Sequence, residues 1–448
     1  MMKIYKKTIL TAFIAFNCFV GLSQETNSFS LSDAEAYGVT NNDRVKNALL
    51  DIEIARKKVW ETTAIGLPQI SLNGQFTQSL DIPVTVVDAQ LFNPAAPPGE
   101  VLEFRMGQEF ATSATLNASQ LLFDGSYIVA LKFSKFFQKM SNTAADNTKQ
   151  EVKALVREAY YNVLVANENL NLMDSILETT KSLWNKTAIY AENGIIPEVD
   201  ADQVEIAYNR ILIAKANAKR QKNIAVNLLK LQMGYDFSKE IILTQTFNEV
   251  LAEMEKANVL LADNGVKNNA NYIMLEQQKI LDEYSLKNEK AKYLPSLAAF
   301  FTHSQNAYRN EFDFFQNKPW YPTTIWGVSL SIPVTSSGQK IVRVQQAEMK
   351  IEQDANNLSS LEKSLVFQEM QLKATYTSAL ETVQLEKSNV TLARKIYDRA
   401  VKRNETGVVS ALEVTQLQSQ LLTAEGSYIG AVMQMFSVKI KLDKLYNK

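Results

Sequence analysis

Short segments of the chain alternate apolar and polar side chains, which is the pattern of a β-strand with two unlike faces. After Pro68, the residues Ile70, Leu72 and Phe76 alternate with polar neighbours. The segment after Pro295, SLAAFFTHS, alternates less cleanly, and its sequence does not assign its faces. The patterns together predict four strands, at 69–77, 110–119, 296–304 and 326–332.

Each pair of strands encloses a loop with the composition of an exposed tip. The loop at 80–102 is interrupted by Pro83, Pro94, Pro97 and Pro98, and the loop at 305–322 is rich in aromatic residues. We therefore predict two irregular surface loops.

Two stretches that open at 124–125 and 337–338 are helical up to about residues 192 and 405. At about 1.5 Å per residue, each helix would be roughly 100 Å long. Their apolar residues recur in heptads, which indicates helices that pack along their whole length. The heptad positions include Val152, Val156, Ala159, Val163, Ala166, Leu170, Met173 and Leu177 in the first stretch, and Val344, Ile351, Leu358, Leu365, Leu372 and Ala379 in the second.

Each long helix is followed by a similar turn, NGIIPEVD at 193–200 and TGVVSALE at 406–413. Glycine tolerates the left-handed backbone that ends many helices, and Pro197 suits the first turn of a following helix. A return helix is predicted after each turn. The chain therefore contains two long helical hairpins.

The two halves align as an internal tandem repeat. Residues 42–76 lie over 269–303, and Gly194 falls on Gly407. Each half has the order helix, two strands and long helical hairpin. We predict a first repeat at 24–235, a connecting segment at 236–265 and a second repeat at 266–448.

Proline and glycine mark the changes between helix and strand in both halves. Proline disfavours helix in the residue before it, so the Leu-Pro pairs end a helix and begin an extended segment. The predicted transition residues are Pro68, Gly125, Pro295 and Gly338.

The first 23 residues are typical of an export signal. Lys3, Lys6 and Lys7 precede an apolar stretch that is shorter than the ~20 residues needed to span a bilayer. A short N-terminal anchor is the alternative. Asn17 before Cys18 is not the small residue of a lipoprotein signal, so lipidation is not predicted.

Composition argues against nucleic-acid binding and catalysis. The chain has 47 Lys and Arg against 48 Asp and Glu, and no basic block follows the signal. His303 is the only histidine and Cys18 the only cysteine, so a metal cluster or Cys-His dyad is unavailable. We predict no enzymatic activity, no cofactor and no metal.

Beyond the signal, no stretch reaches the roughly 18 apolar residues expected of a transmembrane helix. Strands with one apolar and one polar face suit a closed membrane barrel. The smallest barrels have about eight strands, and this chain offers four. A spanning barrel would therefore need several copies of the chain. The alternatives are an α+β protein with two hairpins outside the membrane, a structural coiled-coil envelope protein without a pore, and a periplasmic enzyme.

The order of these features resembles the TolC-type outer-membrane efflux proteins. The resemblance is carried by the signal, the duplication, the Leu-Pro pairs, SQLLFDGS at 119–126 with SIPVTSSGQ at 331–339, and the two hairpin turns. It implies a mainly α fold with transmembrane β-strands. Three chains would form a homotrimer with a 12-stranded β-barrel in outer-membrane lipid and a coiled-coil barrel in the periplasm of a Gram-negative bacterium.

The resemblance also implies a function. The protein would be the passive exit duct of a tripartite efflux or secretion system and would work with a periplasmic adaptor protein and an inner-membrane pump. Drugs, metals, proteins and siderophores remain equally compatible as cargo, and the pump could be driven by protons or by ATP.

The implied sites lie at the hairpin turns. The adaptor would dock on exposed apolar side chains at the tips, and carboxylates just past them would form a periplasmic gate. This chain departs from the family pattern at Gln416, which replaces a second acidic residue, and at Val409, which replaces an arginine. The docking residues would be Asn193, Gly194, Ile195, Ile196, Thr406, Gly407, Val408 and Val409, and the gate residues Asp200, Glu413 and Gln416.

Overall fold

The computed structural model describes residues 28–256 and 265–447. The predicted signal at 1–23, with Cys18, lies outside the described residues. Residues 257–264 of the predicted connecting segment lie outside them as well.

The fold is mainly helical, as predicted. The two long helices end where the sequence indicated, and the helix before each Leu-Pro pair is present. The helices are α1 Leu31–Asn41, α2 Asp43–Ile65, α3 Gly125–Glu192, α4 Glu198–Met233, α5 Phe247–Lys256, α6 Ala270–Ala291, α7 Gln339–Glu405 and α8 Ala411–Leu445. None of the described helices is both long enough and apolar enough to cross a membrane.

The four long strands predicted from alternation are also present. They are accompanied by four short strands that the sequence analysis missed. The strands are β1 Ser28–Phe29, β2 Gln69–Gln78, β3 Val84–Asp88, β4 Val101–Arg105, β5 Phe110–Phe123, β6 Ile242–Leu243, β7 Ser296–Arg309 and β8 Tyr321–Ser331.

The chain divides into two compact units, and each unit takes segments from both halves of the sequence. The hairpin unit comprises the chain up to Leu50, Thr143–Ile273 and the chain from Ser359. The sheet unit comprises Asp51–Asn142 and Met274–Leu358.

The core of the hairpin unit joins the long helices to the segments around them. Tyr160 on α3 is buried, and its hydroxyl donates to the Phe29 carbonyl at 3.2 Å. On the same helix, Arg157 pairs with Glu35 of α1 at 2.8 Å and with Asp443 of α8 at 2.9 Å. Strands β1 and β6 form a two-stranded parallel pair at this core.

The sheet unit contains a four-stranded antiparallel sheet with the order β2-β5-β7-β8. Directly opposed residues of paired strands point to the same face. Ile70 lies opposite Ala118, which lies opposite Phe301, which lies opposite Trp326. One face is therefore predominantly apolar across all four strands, and we call it the apolar face.

Register resolves the faces of β7, which the sequence left unassigned. Leu297, Ala299, Phe301 and His303 lie on the apolar face because they oppose Leu330, Val328, Trp326 and Thr324. The other face carries polar residues of neighbouring strands, such as Asn117 opposite Thr302. It is the polar face.

We predicted an irregular loop at 80–102, and this prediction is wrong for part of the loop. Strands β3 and β4 form an antiparallel hairpin at its two ends, with Val84 opposite Arg105 and Asp88 opposite Val101. The four prolines lie outside these strands, so they leave the ladder intact.

Candidate functional site

The first hairpin tip closes with a Schellman turn at the end of α3. Gly194 has φ 71°, its N–H donates to the Ala191 carbonyl at 2.9 Å, and the Ile195 N–H donates to the Tyr190 carbonyl at 2.8 Å. Asn193 adds a side-chain bond to the Ile189 carbonyl at 2.7 Å. The terminal carbonyls of the helix are thus paired by the turn.

The second tip repeats this geometry at the end of α7. Gly407 also has φ 71°, and its N–H donates to the Asn404 carbonyl at 3.0 Å. The Val408 N–H donates to the Arg403 carbonyl at 3.0 Å, and the Thr406 hydroxyl donates to the same carbonyl. The two turns have the same two backbone hydrogen bonds at corresponding positions, and their side-chain bonds differ.

The apolar residues at the tips differ in exposure. Ile195 and Val408 are 65% and 62% exposed, and Ile196 is half-buried. Val409 is only 7% exposed, so our expectation of an exposed side chain is wrong at this position. It packs with Val414 and other residues of the second hairpin, and the Asn404 amide donates to its carbonyl at 2.9 Å.

The stems of the two hairpins pack against each other. Leu183 of α3 contacts the buried cluster that contains Val409. The Gln418 side chain of α8 donates to the Thr180 hydroxyl of α3 at 2.6 Å, and both side chains are buried. Lys186 and Glu405 form an ion pair at 3.7 Å closer to the tips.

The predicted gate residues begin the return helices. Asp200 lies in the first turn of α4 and Glu413 in the first turn of α8, where negative charge is favoured by the helix dipole. Ser410 caps α8 by accepting from the Glu413 N–H at 3.2 Å. The Glu413 side chain is exposed, and that of Asp200 is half-buried.

Gln416 lines an open groove of about 480 Å³ between α4 and α8. Gln203, which the sequence analysis did not single out, lies in the same groove. Gln203 aligns with Gln416 when the two halves of the sequence are superimposed. This alignment could have identified Gln203 from the sequence. Arg210 supplies a cation to the groove, and none of the residues that line it is acidic.

The predicted transition residues lie at the ends of the strands of the sheet unit. Pro68 and Pro295 immediately precede β2 and β7. Gly125 begins α3 where a Cβ would be 2.7 Å from the Leu294 side chain. Gly338 has φ 84° just before α7, in open surroundings. All four therefore mark helix–strand boundaries, for different local reasons.

No group of three or more His, Cys, Asp or Glu side chains in the described ranges could hold a metal ion.

The chain belongs to the outer membrane efflux protein family. The sequence profile of that family matches residues 39–235 and 275–448. The match includes both hairpins and their tips.

Individual relatives agree with this assignment. The chain is 20% identical to the outer membrane protein TolC of Escherichia coli over 92% of this chain and 80% of that protein. It is 19% identical to the alkaline protease secretion protein AprF of Pseudomonas aeruginosa over 69% of this chain and 64% of AprF. The crystal structure of the Campylobacter jejuni CmeC outer membrane channel has the same fold, with a TM-score of 0.72 at 16% identity, over 93% of this chain and 85% of CmeC.

The protein is an outer-membrane exit duct for efflux or secretion, with a large helical part in the periplasm of a Gram-negative bacterium. Relatives such as TolC and AprF work with an adaptor protein and an inner-membrane pump. The relatives are channel proteins, which favours transport over catalysis and over a structural coiled-coil protein without a pore.

Proposed function

We propose that three copies of this chain form the duct, each contributing four strands to a shared 12-stranded barrel. The sheet is the observation that carries this proposal. Its outer strands β2 and β8 each have one partner in the described part of the chain, and its apolar face is largely exposed. A sheet in lipid needs every edge paired, and β8 of one copy can pair with β2 of the next.

We further propose that the chain arose by tandem duplication. The order of helix, two long strands, long helix and return helix occurs twice. The matching turns at Gly194 and Gly407 support this origin, because they have the same φ and the same two backbone hydrogen bonds. Three chains would then present six similar tips.

The tips bind the adaptor protein in this proposal. Ile195 and Val408 are exposed apolar side chains on rigid turns, which suits docking of another protein's helical hairpin. Asn193, Gly194, Thr406 and Gly407 shape the turns. Ile196 contributes in part, and Val409 acts by supporting the second tip from within.

The gate is proposed to lie just past the tips. Three copies of Glu413 around one axis would form a carboxylate ring that attracts cations, and Asp200 would add its charge from the first repeat. Gln416 and Gln203 place neutral amides one helical turn further along. Val409 leaves the closed state without an arginine clasp.

Cysteine crosslinking tests the docking proposal. Ile195→Cys and Val408→Cys, in a Cys18→Ser background, are treated in whole cells with a short thiol-to-amine crosslinker. We expect both variants to capture the periplasmic adaptor, identified by mass spectrometry, because the adaptor binds at the tips in this proposal. Ile213→Cys is the matched control, since Ile213 is 62% exposed on the return helix α4.

Capture of the adaptor at Ile213 with none at either tip, in a correctly assembled channel, would contradict tip docking. Assembly is checked on each variant by the mass of the detergent-solubilised oligomer. A monomeric mass for the unmodified chain would contradict the trimer itself.

A further inference from the structure

The loop between β7 and β8 folds back onto the apolar face of the sheet. The ring centroids of Phe312 and Phe314 lie 5.7 and 5.8 Å from that of Phe76, in edge-to-face contact. Phe76 in turn stacks with Phe110 at 6.2 Å. Phe76 lies on the apolar face because it is an even number of residues from Ile70 along β2, and Phe110 lies there because it opposes Gln78, two residues after Phe76. The loop therefore continues this face beyond the ends of the strands.

Arg309 holds the loop in this position. Its guanidinium donates to the Tyr308 carbonyl and to the Pro319 carbonyl, both at 2.8 Å, so it joins the two ends of the loop. Its Nε lies 3.2 Å from an oxygen of Asp313, close enough for an ion pair but without hydrogen-bond geometry, and the other oxygen of Asp313 pairs with Lys318. We call Arg309, Asp313 and Lys318 the clamp.

The loop buries the charge of Arg309 for a physical reason. Arg309 opposes Phe110 and so lies on the apolar face, where an unpaired cation in contact with lipid would be unfavourable. Arg309 and Asp313 are both 8% exposed, and the Phe314 ring lies 6.0 Å from the guanidinium. The loop thus pairs the charge and shields it with aromatic rings.

The outer side of the same loop presents exposed rings, although Phe312 also contacts Phe76. Phe315 is 93% exposed and Phe312 is 61% exposed. The loop lies at the end of the sheet away from the connections to α6 and α7, because β7 follows α6 and β8 leads into α7. With the helices in the periplasm, this end of the sheet faces the outer leaflet.

We propose that residues 310–320 form an interfacial anchor that inserts Phe312 and Phe315 into lipid at the outer boundary of the membrane. The occupant of this surface is the lipid, because the rings extend an apolar face that already meets it, and aromatic side chains are favoured at such boundaries. The inference rests on the proposed barrel. It adds that this loop is directed outward to lipid and does not cover the mouth of the duct.

Accessibility of a spin label tests the anchor. In the full chain with Cys18→Ser, Phe315→Cys is labelled with a nitroxide and reconstituted into phosphatidylethanolamine–phosphatidylglycerol vesicles. We expect collisions with oxygen, which partitions into lipid, to exceed those with a water-soluble nickel complex by about threefold, as for an interfacial aromatic position. A label that collides more with the nickel complex would overturn the proposal.

Two control positions separate the anchor from the barrel. Trp326→Cys lies in mid-strand on the apolar face, and Ser113→Cys lies on the polar face. A label at position 326 should collide more with oxygen, and a label at position 113 should collide more with the nickel complex. If they do not differ, the barrel proposal fails. If they differ while the label at 315 follows position 113, only the anchor fails.

A further variant tests the clamp. Asp313→Asn removes the counter-charge of Arg309, and we expect the oxygen preference at position 315 to fall at least about twofold as the loop lifts from the face. Glu311→Gln is the matched control, since it makes the same charge change in the same loop, and it should leave the preference unchanged. Equal accessibility in the two variants would show that the clamp does not position the loop.

Discussion

Glu413 and Asp200 both lie in the first turn of a return helix, at corresponding positions of the aligned sequences, yet their surroundings differ. Glu413 follows a serine cap and is exposed, whereas Asp200 follows a proline and is half-buried. An exposed carboxylate is freer to meet a passing cation. In the proposed gate we therefore expect Glu413 to contribute more than Asp200.

Replacement of Glu413 measures this role. We expect Glu413→Gln to weaken block of the reconstituted channel by a divalent cation on the order of tenfold, because three carboxylates leave one ring. Single-channel conductance in a planar bilayer, titrated with the cation, provides the measurement.

Glu405→Gln is the control for this substitution. It makes the same charge change beside the same tip, but its carboxylate is paired with Lys186 at 3.7 Å. An unchanged titration in Glu413→Gln, or an equal change in both variants, would argue against a carboxylate ring.

Single residues show where the sequence was sufficient and where it was not. The turns at Gly194 and Gly407 could be predicted because their geometry depends on local sequence alone. The burial of Val409 could not, because it depends on Leu183 and Val414, which are brought together by packing of separate helices.

At the scale of elements, α6 and α7 are joined by two carboxyl groups in the sheet unit. Asp354 of α7 is 2% exposed, with one oxygen 3.4 Å from the Lys350 ammonium, and its carboxyl hydrogen-bonds with that of Asp282. Burial, together with the Asp354 carboxyl, raises the pKa of Asp282 on α6 above its ordinary value of 3.8. Gln278 donates weakly to Asp282 at 3.4 Å.

The sign of the pH dependence follows from this pKa shift. The folded chain holds the Asp282 proton more tightly than the unfolded chain, so stability falls as pH rises from 3.8 through the raised pKa. Asp282→Asn removes this effect. We expect a higher thermal midpoint at neutral pH and a flatter acid profile, measured by circular dichroism in detergent.

Glu283→Gln provides the comparison, because it removes the neighbouring carboxylate on the same helix. It should show a smaller rise in midpoint and retain the acid profile. If Asp282→Asn instead lowered the midpoint at neutral pH, the carboxyl pair would have to be stabilising as it stands.

Long elements with a sustained period were predicted well, and short ones were not. The ends of α3 and α7 follow from heptads and glycine turns. Strands β1 and β6 have two residues each and pair across more than 200 positions, so no periodic pattern could reveal them. Hairpin β3–β4 was hidden because its prolines suggested an irregular loop.

At the scale of the whole molecule, lipid on one face of the sheet makes adjacent residues unequal. Val328 lies on the apolar face and Ser329 on the polar face, and both are exposed in the single chain. We expect Val328→Arg to destabilise the folded protein in the membrane by about 2–4 kcal/mol if the residue lies near the bilayer centre, because arginine is unfavourable in hydrocarbon. Ser329→Arg should cost much less.

The yield of heat-resistant oligomer in outer-membrane fractions checks this difference. We expect a clear loss for Val328→Arg and near-normal yield for Ser329→Arg. Equal yields would indicate that the two faces meet the same environment, which is incompatible with a barrel in lipid.

The pairing of β5 with β7 joins the two halves of the chain, and this affects how the newly exported protein folds. The Thr115 and Ser304 hydroxyls meet across it at 2.9 Å, although 189 positions separate them in the chain. The hairpin of β2 and β5 therefore emerges from the export machinery before β7, with which β5 later pairs. Until the second half has crossed, this hairpin exposes an edge that other polypeptides could join, so newly exported chains need shielding from aggregation.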